Sequence, residues 1–293
     1  MPALASTRSE TDDPRRSEFQ FGDDDFQRIA QWVKQTAGIH LDANKADLVY
    51  ARVTKRLRAL KTTSFCAYLD YTLSDAGLEE RDHLLNALTT NVTRFFREPH
   101  HFNALRETIL PPLIEKARNG GRVRIWSAGC SSGEEPYSIA MTLLSVMADA
   151  NQHDIKILAS DIDSNMLNKA QRGRYRKDEI ELPPDASTRR FLQPVADKPG
   201  CLDIQEDLKN LVAFRRLNLI KPWPVRGPFD VIFCRNVVIY FDPETQDAVW
   251  QKLARVNAPG GWLMLGHSER ITGPAADGYE LEGFTTYNRT NRI

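Results

Sequence analysis

The segment with the clearest chemical pattern contains two glycines four residues apart, Gly129 and Gly133, between an apolar run and a helical pattern. Glycines in such a turn let the backbone approach a ligand closely and leave amide hydrogens available where the helix begins. The acids Glu134 and Glu135 follow directly. They would repel a diphosphate and attract a cation, such as a sulfonium amino acid with its ammonium group. The alternative, that both acids only complement the helix dipole, stays open.

A second acidic segment, Asp161-Ile162-Asp163, ends the next apolar run. An acid at the end of the second strand of a nucleoside-binding sheet can accept both ribose hydroxyls. Asp163 is better placed to cap a helix that starts at Ser164, so Asp161 is the candidate ribose ligand. The order of turn, helix, strand and acid favours a ligand that contains adenosine. The turn matches neither GxGxxG nor GxxxxGK[ST], which disfavours NAD and ATP.

The elements that must position these residues begin at Val123, where apolar strands start to alternate with helices. Such alternation predicts an α/β fold with a mainly parallel, doubly wound sheet covered on both faces. Ligands of such sheets bind where the strands end. We predict strands at 123–129, 155–163, 212–219, 229–241 and 261–269, with helices at 136–147, from Ser164, and at 243–256.

Composition shifts along the chain predict its domain organisation. Residues 1–22 are polar and aperiodic, which is typical of a disordered tail. Helical periodicity at 23–90 predicts a small all-helical domain, and 91–122 predicts a linker and a helix that contribute to the ligand site. We expect the remainder, 123–293, to form the α/β domain. Its stretch 174–213 is too long for a bare connection, and we expect an inserted small antiparallel β subdomain there.

Composition also excludes several classes of protein. Lysine plus arginine, 39 residues, balances aspartate plus glutamate, also 39, so a general field for binding nucleic acid is absent. The four cysteines are far apart and form no CxxC pair, which argues against a structural zinc site and fits a reducing cytoplasm. No apolar run approaches a membrane span in length. We therefore expect a cytoplasmic protein without a metal site, nucleic-acid partner or membrane insertion.

Three longer segments carry a family resemblance. Residues 91–102 read NVTRFFREPHHF, residues 126–140 read WSAGCSSGEEPYSIA, and residues 233–242 read FCRNVVIYFD. With SDID at 160–163 and GHSE at 266–269, they resemble the CheR-type chemotaxis-receptor glutamate methyltransferases from Phe26 to Tyr287. The resemblance implies a class I, Rossmann-like methyltransferase that uses S-adenosylmethionine and forms glutamate methyl esters on chemoreceptors.

The resemblance also implies roles for individual residues. Arg97 and Tyr240 match the residues that face the reacting groups. Glu135 matches the acid of the glycine turn, with Glu134 kept as an alternative, and Asp161 matches the ribose-binding acid. The implied cofactor-binding set is Asn91, Thr93, Arg97, Glu135, Asp161, Asn218, Leu219, Arg235 and Asn236.

A basic flank on the second predicted helix is the candidate docking surface for the glutamate-rich methylation helices of a receptor. It comprises Lys45, Arg52, Lys55 and Arg56 at helical spacing. Without the resemblance, a solvated basic face would be the better interpretation.

The insertion is the second candidate for receptor contact, since some similar proteins use it to capture a short peptide at the receptor's C-terminus as an edge strand. Residues 198–200 predict a turn, and residues 201–204 predict such a strand. Asp203, Glu206 and Asp207 make the surroundings acidic. We therefore expect a small sheet that does not bind a receptor tail tightly.

Two other functions remain open at this point. A nucleic-acid methyltransferase is disfavoured by the zero net charge and by the absence of an NPPY or DPPY segment. A non-catalytic receptor-binding module would be expected to have a decayed cofactor site, whereas every matching position here is filled.

Overall fold

The computed structural model describes residues 18–182 and 188–290. The first 17 residues of the predicted disordered tail therefore lie outside the described residues, as do residues 183–187 of the insertion. The chain divides between Thr89 and Thr90 into two compact units.

The first unit is all-helical, as predicted. Its helices are α1 (Asp23–Ala37), α2 (Ala46–Leu60), α3 (Phe65–Leu73) and α4 (Leu78–Leu88). Gly38 ends α1 in the left-handed conformation with φ 76°, and the Ser64 side chain caps α3. Apolar residues three and four apart on these helices form the core, among them Ile29, Val33, Val49, Val53, Leu57, Leu69, Leu84 and Leu85.

Two arginines of the predicted basic flank are used inside this unit. Arg56 forms a two-pronged ion pair with the buried Glu80, at 2.8 and 2.7 Å, and the Tyr68 hydroxyl donates to the same carboxylate at 2.8 Å. Burial alone would raise the pKa of Glu80, but the bonds from Arg56 and Tyr68 lower it. Arg52 donates to the carbonyls of Leu88 and Thr89 at 3.0 and 2.8 Å. Lys45 and Lys55 are the exposed members of the flank.

The second unit contains a large sheet whose first five strands in spatial order are parallel, which confirms the predicted fold class. Its spatial order is β6-β2-β1-β7-β8-β10-β9, and β10 runs antiparallel to both neighbours. The unit's strands are β1 (Val123–Ala128), β2 (Ile155–Asp161), β3 (Arg174–Arg176), β4 (Leu192–Pro194), β5 (Cys201–Ile204), β6 (Val212–Arg216), β7 (Phe229–Cys234), β8 (Asn257–Leu265), β9 (Tyr279–Gly283) and β10 (Thr286–Arg289).

Both faces of the large sheet are covered. Along β7, Val231 and Phe233 face one core while Ile232 and Cys234 face the other, as the two-residue period of a strand requires. A π-helical turn at 105–109 joins two of the covering helices. The unit's helices are α5 (Pro99–Ala104), α6 (Leu110–Arg118), α7 (Glu134–Val146), α8 (Ser164–Arg172), α9 (Glu206–Lys209) and α10 (Pro243–Val256).

The predicted strand at 229–241 was too long, because β7 ends at Cys234. The backbone turns at Asn236, where φ is +58°, and a 3₁₀ turn follows at Val238–Tyr240. The carboxylate of Glu269 binds the N–H groups of Asn236, Val237 and Val238, which are therefore not available to a strand ladder. The apolar run in the sequence does not show that these N–H groups bind Glu269.

The insertion forms the predicted small antiparallel sheet, in the order β3-β5-β4. The strand predicted at 201–204 is confirmed as β5, but its expected position at the edge was wrong, because β5 lies between β3 and β4. Asp203 is paired with Arg174 at 2.7 and 2.9 Å, and Glu206 lies 2.9 Å from Lys209 Nζ. The acidic character predicted for this surface is thus largely neutralised by its own neighbours.

Candidate active site

The glycine turn lies at the carboxyl edge of the large sheet, the edge where the parallel strands end. Gly129 and Gly133 have φ of +83° and +98°, which disfavours other residues. A Cβ on Gly129 would lie 2.2 Å from a Val237 methyl group, and one on Gly133 would lie 2.8 Å from the Cβ of Ala170. The turn therefore requires glycine for both conformation and space, and it leads directly into α7.

The two acids at the start of α7 have different partners. The Glu134 carboxylate accepts from the Ser132 hydroxyl at 2.9 and 2.7 Å. The Glu135 carboxylate accepts from the Ser127 hydroxyl at 2.7 Å and from Arg235 Nη1 at 3.0 Å. Burial raises the pKa of both carboxyls. In Glu135 this rise is opposed by the positive charge of Arg235, which lowers the pKa. Glu135 thus belongs to a cluster with the strand-end Arg235, whereas Glu134 is bound within its own turn.

Asp161 ends β2 and holds the glycine turn. Its Oδ2 accepts the Ser131 N–H at 2.7 Å, and its Oδ1 accepts the Asp163 N–H at 2.9 Å. Burial raises the pKa of Asp161, and these backbone bonds oppose the rise. Asp163 caps α8 by accepting from Asn165 and Met166, as predicted. The two acids therefore have separate positions, and Asp161 is the one directed toward the turn.

The segment 91–98 lies along the same edge. Asn91 donates its side-chain amide to Asp163 at 2.8 Å, and its carbonyl accepts from the Ser131 hydroxyl at 3.2 Å. Arg97 Nη1 donates to the Val92 carbonyl at 2.8 Å, and the Arg97 carbonyl accepts from Arg235. The half-buried Thr93 lies between them in sequence. These contacts bring Asn91 and Arg97 next to the residues that end β1, β2 and β7.

Glu98 is a site residue that the sequence analysis missed. It has a left-handed backbone, with φ +59°, at the start of α5. Its Oε1 lies 3.2 Å from His267 Nδ1 and 3.3 Å from the His267 amide nitrogen, while its Oε2 lies 3.3 Å from Arg235 Nη2. Burial opposes ionisation, but Arg235 and His267 lower the pKa of Glu98. The signal was available, since Glu98 ends the FFRE motif.

Glu98, His100 and His101 have the ligand types and spacing of a metal site, alone among the residues described. Burial and the charge of Arg235 lower the pKa of the fully buried His101 to about 3, and its Nε2 lies 3.1 Å from the Thr285 hydroxyl. The Glu98 oxygen nearest His101 also lies 3.3 Å from Arg235. That guanidinium already supplies the positive charge that a metal ion would bring, and it would repel one.

Glu269 is a second missed residue, and its signal was the GHSE motif. Its carboxylate accepts the N–H groups of Asn236 and Gly266, both at 2.7 Å, and those of Val237 and Val238, at 2.9 and 3.0 Å. Four backbone bonds to one carboxylate fix the loop after β7 against the end of β8. They set the position of Asn236 and of the turn that carries Tyr240.

The remaining predicted residues follow β6 and β7 at the carboxyl edge. Asn218 Oδ1 accepts the Ile220 N–H at 3.1 Å, and the Leu219 carbonyl accepts from the Trp223 indole at 3.1 Å. Tyr240 is half-buried, and its hydroxyl makes no hydrogen bond to any residue in the described ranges. Tyr240 ends the 3₁₀ turn that follows β7.

A parallel sheet with a terminal antiparallel hairpin, a glycine turn after β1 and an acid at the end of β2 define a class I S-adenosylmethionine-dependent methyltransferase. Residues 91–287 match the CheR methyltransferase, SAM binding domain, and residues 24–89 match the CheR methyltransferase, all-alpha domain. The chain therefore belongs to the CheR methyltransferase family, and its cofactor is S-adenosylmethionine.

Curated relatives agree with this assignment. A probable chemotaxis protein methyltransferase of Rhizobium etli is 47% identical over 89% of this chain and 97% of its own length. The chemotaxis protein methyltransferase of Escherichia coli is 43% identical over 89% of each chain, and chemotaxis protein methyltransferase 2 of Pseudomonas aeruginosa is 40% identical over 87% of this chain and 89% of its own. The chain thus spans nearly the full length of these relatives.

None of the helices in the described part of the chain combines the length and the apolar character needed to span a membrane.

Proposed function

We propose that this protein methylates glutamate side chains of chemoreceptors and that its predicted site residues act in that reaction. The observation that carries the proposal is spatial. The residues assigned to the cofactor end or follow β1, β2, β6 and β7 at one edge, together with the segment 91–98, and the unpaired hydroxyl of Tyr240 lies in the loop that follows β7.

The residues present fit the cofactor by their chemistry. Glu135 offers a buried carboxylate to an ammonium group, and Asp161 has acceptor capacity beyond its two backbone bonds for ribose hydroxyls. Arg235 Nε is buried without a hydrogen-bond partner among the described residues, so a donor remains for a carboxylate. Asn218 and Leu219 are proposed to lie on the adenine side, with Asn91, Thr93 and Asn236 at the methionine end.

The chemistry requires little from the protein beyond positioning. S-adenosylmethionine supplies a methyl group bonded to a sulfonium sulfur. A glutamate side chain, with a pKa of about 4.3, is already an anion at neutral pH, so no general base is needed. Arg97 stays protonated and cannot be a base. We propose that Arg97 and Tyr240 orient the incoming carboxylate. Exclusion of water favours the transition state, because the negative charge of the carboxylate and the positive charge of the sulfonium decrease together as the methyl group is transferred.

The partner surface we propose is the exposed part of the basic flank on α2. Lys45 and Lys55 are exposed there, whereas Arg52 and Arg56 are bound within the helical unit. A glutamate-rich receptor helix in the cytoplasm would be attracted to this flank. Lys45 and Lys55 therefore replace the arginines as the residues to test.

We also propose that the insertion does not bind a receptor-tail peptide tightly. Its edge strands β3 and β4 have three residues each, and Pro194 in β4 has no N–H to donate to an added strand. Few main-chain bonds can therefore form there. Titration with C-terminal peptides of candidate receptors should give no saturation in the micromolar range, and saturable binding there would contradict the proposal.

Two experiments separate this function from the two alternatives. Calorimetry with S-adenosylhomocysteine should show saturable binding, which a decayed binding module would lack. Incubation with labelled S-adenosylmethionine should then label membranes that contain chemoreceptors, and should leave DNA and RNA unlabelled. Label in nucleic acid, or an inert protein, would contradict the proposal.

A further inference from the structure

Arg235 lies between two carboxylates at the carboxyl edge. Its side chain is 2% exposed, Nη1 is 3.0 Å from Glu135 Oε2, and Nη2 is 3.3 Å from Glu98 Oε2. Each acid is 12% exposed. Two carboxylates and one guanidinium sum to one net negative charge, held where water cannot compensate it fully. The cluster is therefore short of one positive charge.

The two carboxylates are not compensated equally by positive charge. Glu98 interacts with the positive charge of Arg235 and makes two contacts with His267, and these interactions lower the pKa of Glu98 despite its burial. For Glu135, burial outweighs Arg235 and the Ser127 hydroxyl, and its pKa is raised. The charge of Arg235 is thus shared, and Glu135 is the acid that remains undercompensated.

We propose that Glu98 is a positioning residue that draws on the charge of Arg235, so that Glu135 stays available to the ammonium group of the cofactor. The inference rests on the proposed placement of the cofactor's amino-acid end at Glu135. With Glu98 neutral, Arg235 would pair with Glu135 alone, and the ammonium group would meet a neutral pair. Glu98 would then control cofactor affinity without touching the cofactor.

A purely structural role for Glu98 predicts something different. Glu98 begins α5 and binds the His267 backbone, so its loss could loosen the edge as a whole. Loosening would weaken every ligand of the site by a similar factor. If Glu98 acts by sharing the charge of Arg235, its loss should weaken the binding only of ligands that carry the ammonium group.

The test compares S-adenosylhomocysteine with desamino-S-adenosylhomocysteine, in which hydrogen replaces the ammonium group. By calorimetry, Glu98→Gln should weaken the first ligand about tenfold or more and the second by less than about twofold. Glu135→Gln should show the same pattern. The matched control is Asp230→Asn, which removes a carboxylate bound by Lys116 and the Arg124 N–H at the opposite edge. That control should leave the ratio of the two affinities unchanged.

Equal losses for both ligands, or none, in Glu98→Gln would overturn the inference. Glu98→Asp keeps the charge and should keep the preference for the ammonium ligand, so a lost preference there would also overturn it. This second variant is informative even if Glu98→Gln fails to fold. A preference that survives Glu135→Gln would instead contradict the placement of the ammonium group at Glu135, and thus that part of the proposed function.

Discussion

The backbone N–H of Ser131 donates to Oδ2 of Asp161 across 2.7 Å, so the acid at the end of β2 is bonded to the glycine turn that follows β1. Ser131 has a left-handed backbone with φ +48°, a strained conformation for a residue other than glycine. Asp161, the proposed ribose ligand, therefore also shapes the glycine turn, against which we propose that the cofactor lies.

The first prediction concerns Asp161. Replacement by Asn or Ala should weaken S-adenosylhomocysteine binding roughly ten- to a hundredfold, because charge-assisted bonds contribute about 1.5–3 kcal/mol. Ala leaves both bound N–H groups without an acceptor and Asn leaves one, so both variants should also lower the unfolding free energy without ligand, Ala by more than Asn. Calorimetry and thermal unfolding check both effects. Asp154→Asn at the opposite edge is the control, and unchanged affinity in the Asp161 variants would refute the ribose assignment.

The second prediction concerns Tyr240. Tyr240→Phe should lower turnover roughly three- to tenfold, the effect of one hydrogen bond of about 0.5–1.5 kcal/mol. Its melting temperature should not change, because the hydroxyl makes no hydrogen bond within the described residues. Tyr287→Phe removes the hydroxyl of a half-buried tyrosine in β10 and should leave turnover intact. Steady-state kinetics with saturating cofactor decide, and wild-type turnover in Tyr240→Phe would contradict the role.

The third prediction concerns receptor docking. Substituting glutamate for Lys45 and Lys55 should raise the receptor KM and spare S-adenosylhomocysteine binding. Wild-type docking should weaken with salt, since the Debye length falls from about 10 Å at 0.1 M to about 3 Å at 1 M.

The control for docking is the same charge reversal at Arg118 and Arg122, which are exposed next to the start of β1. It should leave the receptor KM unchanged. Arg56→Glu is unsuitable, because it would place a second acid against the buried Glu80 and destabilise the helical unit. Equal receptor kinetics for the Lys45 and Lys55 double variant would restore the interpretation of a solvated face.

The fourth prediction is a pH dependence of stability. The pKa of His101 is lowered to about 3, against about 6.5 in an unfolded chain. The unfolded state therefore binds the extra proton between these values, and the unfolding free energy falls as pH falls below about 6.5. At pH 5 the loss reaches up to about 2 kcal/mol.

Replacing His101 by Asn should remove this part of the acid sensitivity, because the buried imidazole is then absent from both states. Denaturant unfolding of the second unit at pH 7 and pH 5 measures the difference. If the unfolding free energy depends on pH in the same way in wild type and in His101→Asn, the buried imidazole does not cause the loss of stability at acid pH.

Much of the fold could be predicted because periodic apolar residues dominate it. The helices of the first unit and the parallel strands follow hydrophobic patterns that local sequence displays directly. The end of β7 did not follow the pattern, since Val237, Val238 and Ile239 continue the apolar run while Glu269, 33 residues after Asn236, binds the backbone there. Contacts between distant residues, and not composition, decide such an end.

The candidate site divides in the same way. Asp161 and Glu135 could be proposed from residue type and position after a strand. Glu98 ends the FFRE motif, but residue type and position do not show its contacts with Arg235 and His267, which lie 137 and 169 residues further along the chain. The same holds for Arg52 and Arg56, whose helical spacing suggested an exposed flank but whose partners, Leu88 and Glu80, lie on another helix.

The most direct test of the central claim is the chemical identity of the modified side chain. Purified protein, S-adenosylmethionine and chemoreceptor membranes would be incubated, and the receptor peptides sequenced by tandem mass spectrometry before and after mild alkali. Our account predicts an added methyl group on glutamate side chains, lost in alkali as methanol because it is an ester. A methyl group that resists alkali, or that lies on a nitrogen or on a residue other than glutamate, would contradict it.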